Sequence, residues 1–373
     1  MSMARGLVLL LICAPLAQEA HAEGTFELIP REYRARPDSI LQIDNMPRVR
    51  SQGGLGFCYS FVAATLIDEA NCSARNVANC AAVPDSEKAS VLDLARFGRK
   101  PADDADRAQR ISYSGLRYGG SPEESLYNGA IRTNAIVRES CAPFERLTSD
   151  IQSRRIATIL DIRNISAIER AYRRIQPMVA RCGNCAAVAI DHAIHEIRRR
   201  YDLAVSDREL AAAFAQDSYS KFLDRLLIPQ VCRTSDNFMR LVGGWRIANY
   251  PDRLDGKSEY YRLLAKIRAV LASKRPLGIN FCAEDDLRAT SMKSCGKISV
   301  NGRASGYGHT AVITGYRLVC TKEGRCRDSL QIVNSWGASW QADNDDGWIG
   351  ARPLLDRTFY EPEAIFWLEP TAR

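Results

Sequence analysis

Twelve cysteines in a chain of 373 residues constrain its folding most. In an oxidising compartment nearly all of them must pair, and each pair pins two stretches of chain together. The first 22 residues point to that compartment. Arg5 precedes an apolar run from Leu7 to Cys13, followed by Pro15 and the small-x-small stretch Ala20-His21-Ala22, the layout of a secretory leader. The run is too short to span a bilayer, and no later stretch reaches ~20 apolar residues. The chain is therefore expected to be exported, periplasmic or secreted, with Glu23 as the first mature residue. Cys13 leaves with the leader and eleven cysteines remain, an odd number. Short loops favour the pairs Cys72–Cys80, Cys182–Cys185, Cys282–Cys295 and Cys320–Cys326, which leaves Cys141 for Cys232 and one thiol, Cys58, over.

Composition excludes disorder: 46% of residues are hydrophobic and 25% charged, enough to bury one large core or two medium ones. The net charge is +7, but the basic residues are scattered in short runs such as Arg198-Arg199-Arg200. That reads as solvated faces and not as a nucleic-acid stripe. Residues 23–46 are polar and read as an extended arm. Residues 47–145 carry helix signals, beginning where the Gly-rich Ser51–Gly56 turn runs into an apolar helix from Cys58. Residues 146–235 are helix formers rich in Arg, Ala, Ile and Leu, with a capping box at Ser206 and Glu209. From 236 to 373 the pattern turns to strands, at Pro276–Phe281, Thr310–Tyr316 and Leu330–Val333. Helices first and strands later predict an α+β fold of two subdomains.

Cys58 stands at the mouth of a buried helix, whose N-terminal partial charge favours thiolate over thiol. A lone cysteine there is equally a structural core residue. The mature chain has three histidines, His192, His195 and His309. His309 follows Gly306-Tyr307-Gly308 at the start of a strand, where an imidazole faces either a cleft or a core. Asn334 closes a later strand. Its amide oxygen can accept the second ring N–H of a histidine and hold the tautomer, with Trp336 screening that bond from water.

Three blocks in order, Gln52–Phe61, Gly306–Tyr316 and Asn334–Trp340, resemble the signature blocks of papain and the cathepsins. The resemblance covers residues 40–145 and 235–368. It implies a papain-like α+β fold whose helical and strand-rich halves enclose a cleft, and a cysteine peptidase activity on peptide or protein substrates without a cofactor. By position it implies Cys58 as nucleophile, His309 as base, Asn334 as its orienter and Gln52 as oxyanion donor. It further implies Gly119, Gly120, Ser121 and Pro122 as the substrate clamp and specificity wall, and Trp336 and Trp340 as the aromatic pair beside the base.

The chain departs from the family in five ways. Phe57 replaces the small residue before the nucleophile, which is expected to alter the turn, and Tyr59 replaces the tryptophan after it. Leu55 replaces a cysteine, so the family's disulfide beside the active site cannot form. The base lies 251 residues after the nucleophile (309 − 58), against about 130–150 in the family; the stretch 146–235 supplies the excess and is expected to act as lid, docking module or scaffold. The arm is also too short for a helical inhibitory propeptide. Two rival functions share the fold: a non-catalytic peptide- or protein-binding module and a thioester-using acyltransferase. A zinc reading of Cys182, Cys185, His192 and His195 fails on geometry. On one helix Cys185 and His192 stand about 10 Å apart along the axis, beyond the reach of bonds of about 2.0–2.3 Å to one ion.

Overall fold

The computed structural model describes residues 26–98, 119–148, 154–203, 205–283, 291–295 and 307–371, with the side chains of 154–160, 162 and 183–185 left aside. The expected leader, residues 1–22, lies outside the described residues.

Helix α1 (Cys58–Ala74) is the axis of the first half, and every residue from Cys58 to Cys72 is buried. That burial follows from a sequence apolar nearly all round from Phe61 to Ile67. It starts as the chain leaves the glycine turn, with Phe57 at the N-cap. The predicted helical stretch supplies α2 (Arg154–Arg181), α3 (Gly183–Arg198), α4 (Asp207–Phe214) and α5 (Tyr219–Leu227). The Ser206 capping box forms in both directions, with Ser206 N–H to Glu209 Oε2 at 2.7 Å and Glu209 N–H to Ser206 Oγ at 3.3 Å. These helices are not a separate body. Ile165, Ile168, Tyr172, Ile197, Phe214 and Phe222 belong to one buried cluster with Phe57, Phe61 and Leu66 of the α1 region.

The second half is an antiparallel sheet. In chain order its members are β1 (Arg34–Ala35), β2 (Leu41–Gln42), β5 (Trp245–Tyr250), β6 (Leu277–Ala283), β7 (Tyr307–Cys320), β8 (Cys326–Val333), β9 (Trp348–Gly350) and β10 (Ile365–Pro370). The strand order is β5-β10-β6-β7-β8-β9, with β1 and β2 also pairing with β7. The predicted strands are thus present and longer than their apolar cores suggested. One sheet face and helix α6 (Tyr260–Ala272) enclose a second cluster that includes Leu263, Ile267, Phe281, Ile313 and Ile332. Val312, Phe366 and Leu368 instead join the first cluster, so the sheet is covered on both faces and α1 lies against it. Two cores, one mostly helical and one sheet-based, make this an α+β fold of two subdomains.

Four of the expected disulfides are present: Cys72–Cys80, Cys141–Cys232, Cys282–Cys295 and Cys320–Cys326. Cys182 is also disulfide-bonded, while the side chain of Cys185 lies outside the described residues. Bonds of this kind form and persist in an oxidising compartment. Cys58 is the free cysteine among the described residues. Cys141–Cys232 and a small sheet, in which β3 (Ile136–Val137) pairs with β4 (Phe238–Met239), close the helical stretch at its base. Among the described residues no helix is long and apolar enough to cross a membrane.

Candidate active site

The sheet register sets the position of His309. It lies on β7 opposite Phe281 of β6, and Thr310 lies opposite Asn280. His309 is 4% exposed and Asn334 fully buried, and His309 Nε2 meets Asn334 Oδ1 at 2.9 Å. An amide oxygen only accepts, so Nε2 carries the hydrogen and Nδ1 is left as the basic nitrogen of the neutral ring. Trp336 stacks on the imidazole, with centroids 4.8 Å apart and planes 22° apart. Phe281 meets the same ring edge-on at 5.3 Å. The bond between His309 and Asn334 is therefore dry. Asn334 gives up something for this orientation, since its buried Nδ2 has no hydrogen-bond partner among the described residues.

Cys58 reaches this strand from α1. The backbone N–H of Thr310, the residue after His309, lies close enough to the sulfur to favour its ionised form, as do those of Tyr59 and Cys58 itself at the helix mouth. The expected helix-end activation does not win alone. Burial pushes the thiol up to about 11, against the lowering by those backbone donors. A helix end contributes about half a charge, whereas full desolvation penalises the whole thiolate. A base therefore has to take the proton.

Gln52 is tied into the same site. Its N–H donates to Ser335 O at 2.8 Å, and its Oε1 accepts from Ser335 Oγ at 2.5 Å. Its Nε2 donates one of its two hydrogens to Leu55 O at 2.7 Å. Ser51 also bridges to Trp336. The Gln52 and Asn334 blocks, nearly three hundred residues apart in sequence, are thus held side by side.

Phe57 does not crowd the turn. Its ring is fully buried, meets Phe144 edge-on at 5.0 Å and lies parallel to Tyr59 at 6.3 Å. An aromatic pocket holds it on the core side. Tyr59 donates to Ala95 O at 3.1 Å and has Gly98 and Gly120 against its ring. A Cβ at Gly98 would come within 2.1 Å of that ring, and one at Gly120 within 2.8 Å, so both positions need glycine.

Gly119 has φ +72 and open space at its Cβ position. Ser121 N–H donates to Gly98 O at 2.6 Å. Its hydroxyl is the N-cap of the short helix Pro122–Ser125, with Pro122 buried beside it, and bonds Glu123 at 2.8 Å. Trp340 stands edge-on to Trp336 at 5.6 Å, and Phe26 of the arm packs against both. His192 and His195 are exposed on α3; His192 lies near Glu196 and both are apart from this cluster. No group of three potential metal ligands exists among the described residues.

Sequence reasoning missed several members of the site. The Thr310 N–H, the Ser335 hydroxyl and Gln341 act through backbone or through chain-remote contacts. Gln341 Nε2 donates to Ile332 O at 2.7 Å, and its Oε1 accepts from Asn334 N–H at 3.4 Å. Ser335 and Gln341 flank Asn334, and only that proximity could have marked them.

No family model and no curated protein matches the chain. Solved structures similar to it include SERA5E from Plasmodium falciparum, at 15% identity and TM-score 0.41 over 93% of this chain and 99% of that one. Xylellain, a cysteine protease from Xylella fastidiosa, is similar at 12% identity and TM-score 0.43 over 91% of each chain. A digestive procathepsin L 3 from Tenebrio molitor is similar at 12% identity and TM-score 0.41, over 93% of this chain and 76% of that one. At such values the likeness carries no argument about activity.

Proposed function

We propose that this chain is an exported cysteine peptidase of the papain type, hydrolysing peptide bonds in peptide or protein substrates through Cys58, His309 and Asn334. The observation that carries the reading is the dry 2.9 Å bond from His309 to Asn334, on the strand whose next N–H lies close enough to the one free thiol among the described residues to favour its ionised form. That bond reserves Nδ1 as the base, which a buried thiol pushed to about 11 requires. The disulfides and the leader-like first 22 residues support export.

In this reading His309 Nδ1 takes the Cys58 proton as sulfur attacks the substrate carbonyl. The tetrahedral oxyanion meets the free Nε2 hydrogen of Gln52 and the Cys58 N–H, each such donor being worth about 3–4 kcal/mol at the transition state. His309 then gives its proton to the leaving amine as the C–N bond breaks. Water attacks the thioester with His309 again as base, the C–S bond breaks, and the thiol returns. Gly119, Gly120, Ser121 and Pro122 form one substrate wall and Trp336 and Trp340 the other. Phe57, which suggested a blocked binding module, packs away from the turn and removes that motive.

The experiment is labelling by a peptide-like epoxide together with turnover of fluorogenic peptides. One adduct on Cys58 with matching loss of hydrolysis supports the peptidase. Stoichiometric labelling without any hydrolysis, and with acyl transfer to added amines, would favour the acyltransferase. No labelling at Cys58 would sink both.

A further inference from the structure

Asp161 stands out among the groups the proposed chemistry does not use. It belongs to α2 of the helical stretch, yet it is 1% exposed and sits on the turn that carries Gln52. Its Oδ2 accepts the Gly54 N–H at 3.3 Å. The same oxygen lies 2.6 Å from where a Cβ on Gly53 would be, and Thr148 Cγ2 lies at 3.1 Å. Gly53 has φ +56, so the turn needs glycine both for its backbone and for this approach. The turn is otherwise closed by Leu55 N–H to Gln52 O at 3.2 Å and by the Gln52 side chain on Leu55 O. No other bond from outside residues 51–57 is made to the Gly54 N–H among the described residues.

We infer that Asp161 is a positioning residue for the oxyanion donor Gln52, so that the inserted helices act on the chemistry by holding the Gln52–Leu55 turn. The inference rests on the peptidase reading above. Helix α2 is itself anchored, because Ile165, Ile168, Tyr172 and Ile175 lie in the core shared with Phe57 and Leu55. The carboxylate is therefore a fixed point. An oxyanion donor displaced by a fraction of an ångström loses much of its effect, and misplacement by about 1 Å costs on the order of 100-fold. A negative charge near a developing oxyanion is unfavourable in itself, which separates the two ways Asp161 could act. Asparagine keeps the acceptor oxygen and removes the charge; alanine removes both.

The test measures kcat and KM on a fluorogenic peptide beside the rate of Cys58 alkylation by iodoacetamide, a displacement that builds no oxyanion. Asp161→Ala is expected to lower kcat by about 10- to 100-fold, with KM and alkylation rate within about twofold. Asp161→Asn is expected to stay within about threefold of wild type. In a Gln52→Ala background, Asp161→Ala is expected to add little, since both act through one group. Wild-type kcat in Asp161→Ala overturns the inference. So does an equal loss of turnover and alkylation, which marks a merely structural residue, or full additivity with Gln52→Ala. Hydrogen exchange at Gly54 needs no turnover: it is expected to quicken in Asp161→Ala and not in Asp161→Asn, and an unchanged rate refutes the contact. A wild type that neither hydrolyses peptides nor reacts with the epoxide overturns the peptidase reading, and the oxyanion role with it, whatever the exchange data say of the contact.

Discussion

At the scale of single residues, the site balances one buried thiol against one oriented base. Desolvation, set against the nearby backbone N–H groups, leaves Cys58 near 11, so at pH 7 a thiol without its partner would be ionised to about one part in 10⁴. In the proposed pairing, proton transfer to His309 would replace a lone buried charge with an ion pair. Cys58 in the intact protein is accordingly expected to alkylate readily at pH 6–7. In His309→Ala the reaction should fall at least about 100-fold at pH 7 and rise with pH up to about 11; a pH–rate profile with iodoacetamide measures it. A profile unchanged by the substitution would remove His309 from the pair. Gln52→Ala should lower kcat by about 10²–10³ if its free hydrogen meets the oxyanion. Asn334→Ala should cost less, since it orients the base without touching substrate, and should raise water access to the ring. Steady-state kinetics on folded variants decides this order, and a larger loss for Asn334→Ala than for Gln52→Ala would reverse the assigned roles.

At the scale of elements, the helical stretch is fastened to the nucleophile half at its base by Cys141–Cys232 and by the pairing of Ile136 and Val137 with Met239 and Phe238. A cross-link that closes a loop of about 100 residues removes roughly 4–5 kcal/mol of unfolded-chain entropy in the loop-closure model. Replacing both cysteines by serine is therefore expected to destabilise the protein by about 2–5 kcal/mol, read as a lower denaturation midpoint. A midpoint within error of wild type would mean that shared packing, not the bond, holds these helices. Removal of Cys320–Cys326, which spans 6 residues, should cost less by the same reasoning. The order of the two losses checks the chain-entropy account without needing its absolute values.

At the scale of the whole molecule, acidic groups have been drawn inside. Arg50 lies 3.2 Å from Asp68 and 3.8 Å from Glu139, all three nearly buried, so one guanidinium serves two carboxylates. Burial raises Asp68 to about 6 and Glu139 to about 7, with Arg50 pulling each the other way. Burial likewise raises Glu69, beside Arg275, to about 7. Unfolded, these groups titrate near 4. The folded state then binds more protons than the unfolded state between about pH 4 and 7. Their contribution is complete below about pH 4 and is lost as pH rises through 6–7. Thermal stability is expected to fall from pH 5 to pH 8, and Asp68→Asn should flatten that slope. A Tm that climbs over the same interval would show that these carboxylates are ionised in the fold.

What the sequence alone determined is what local pattern and counting can carry. The odd cysteine count singled out Cys58, short loops and elimination named the pairs, and the capping box and strand-like runs located Ser206–Phe214, β6, β7 and β8. The ordered blocks picked out His309, Asn334 and Gln52. These are properties of residues near one another in the chain, where backbone geometry alone sets who meets whom. Tertiary structure decided the rest. It put Phe57 against Phe144, so a departure that looked obstructive became core packing. It set burial above the helix end at Cys58, and it brought Ser335 to Gln52 and Asp161 to Gly54. Each of these is a contact between segments about a hundred residues or more apart, or a desolvation set by the surrounding core. Neither has a local sequence signature, because distance in space and loss of water are properties of the folded chain.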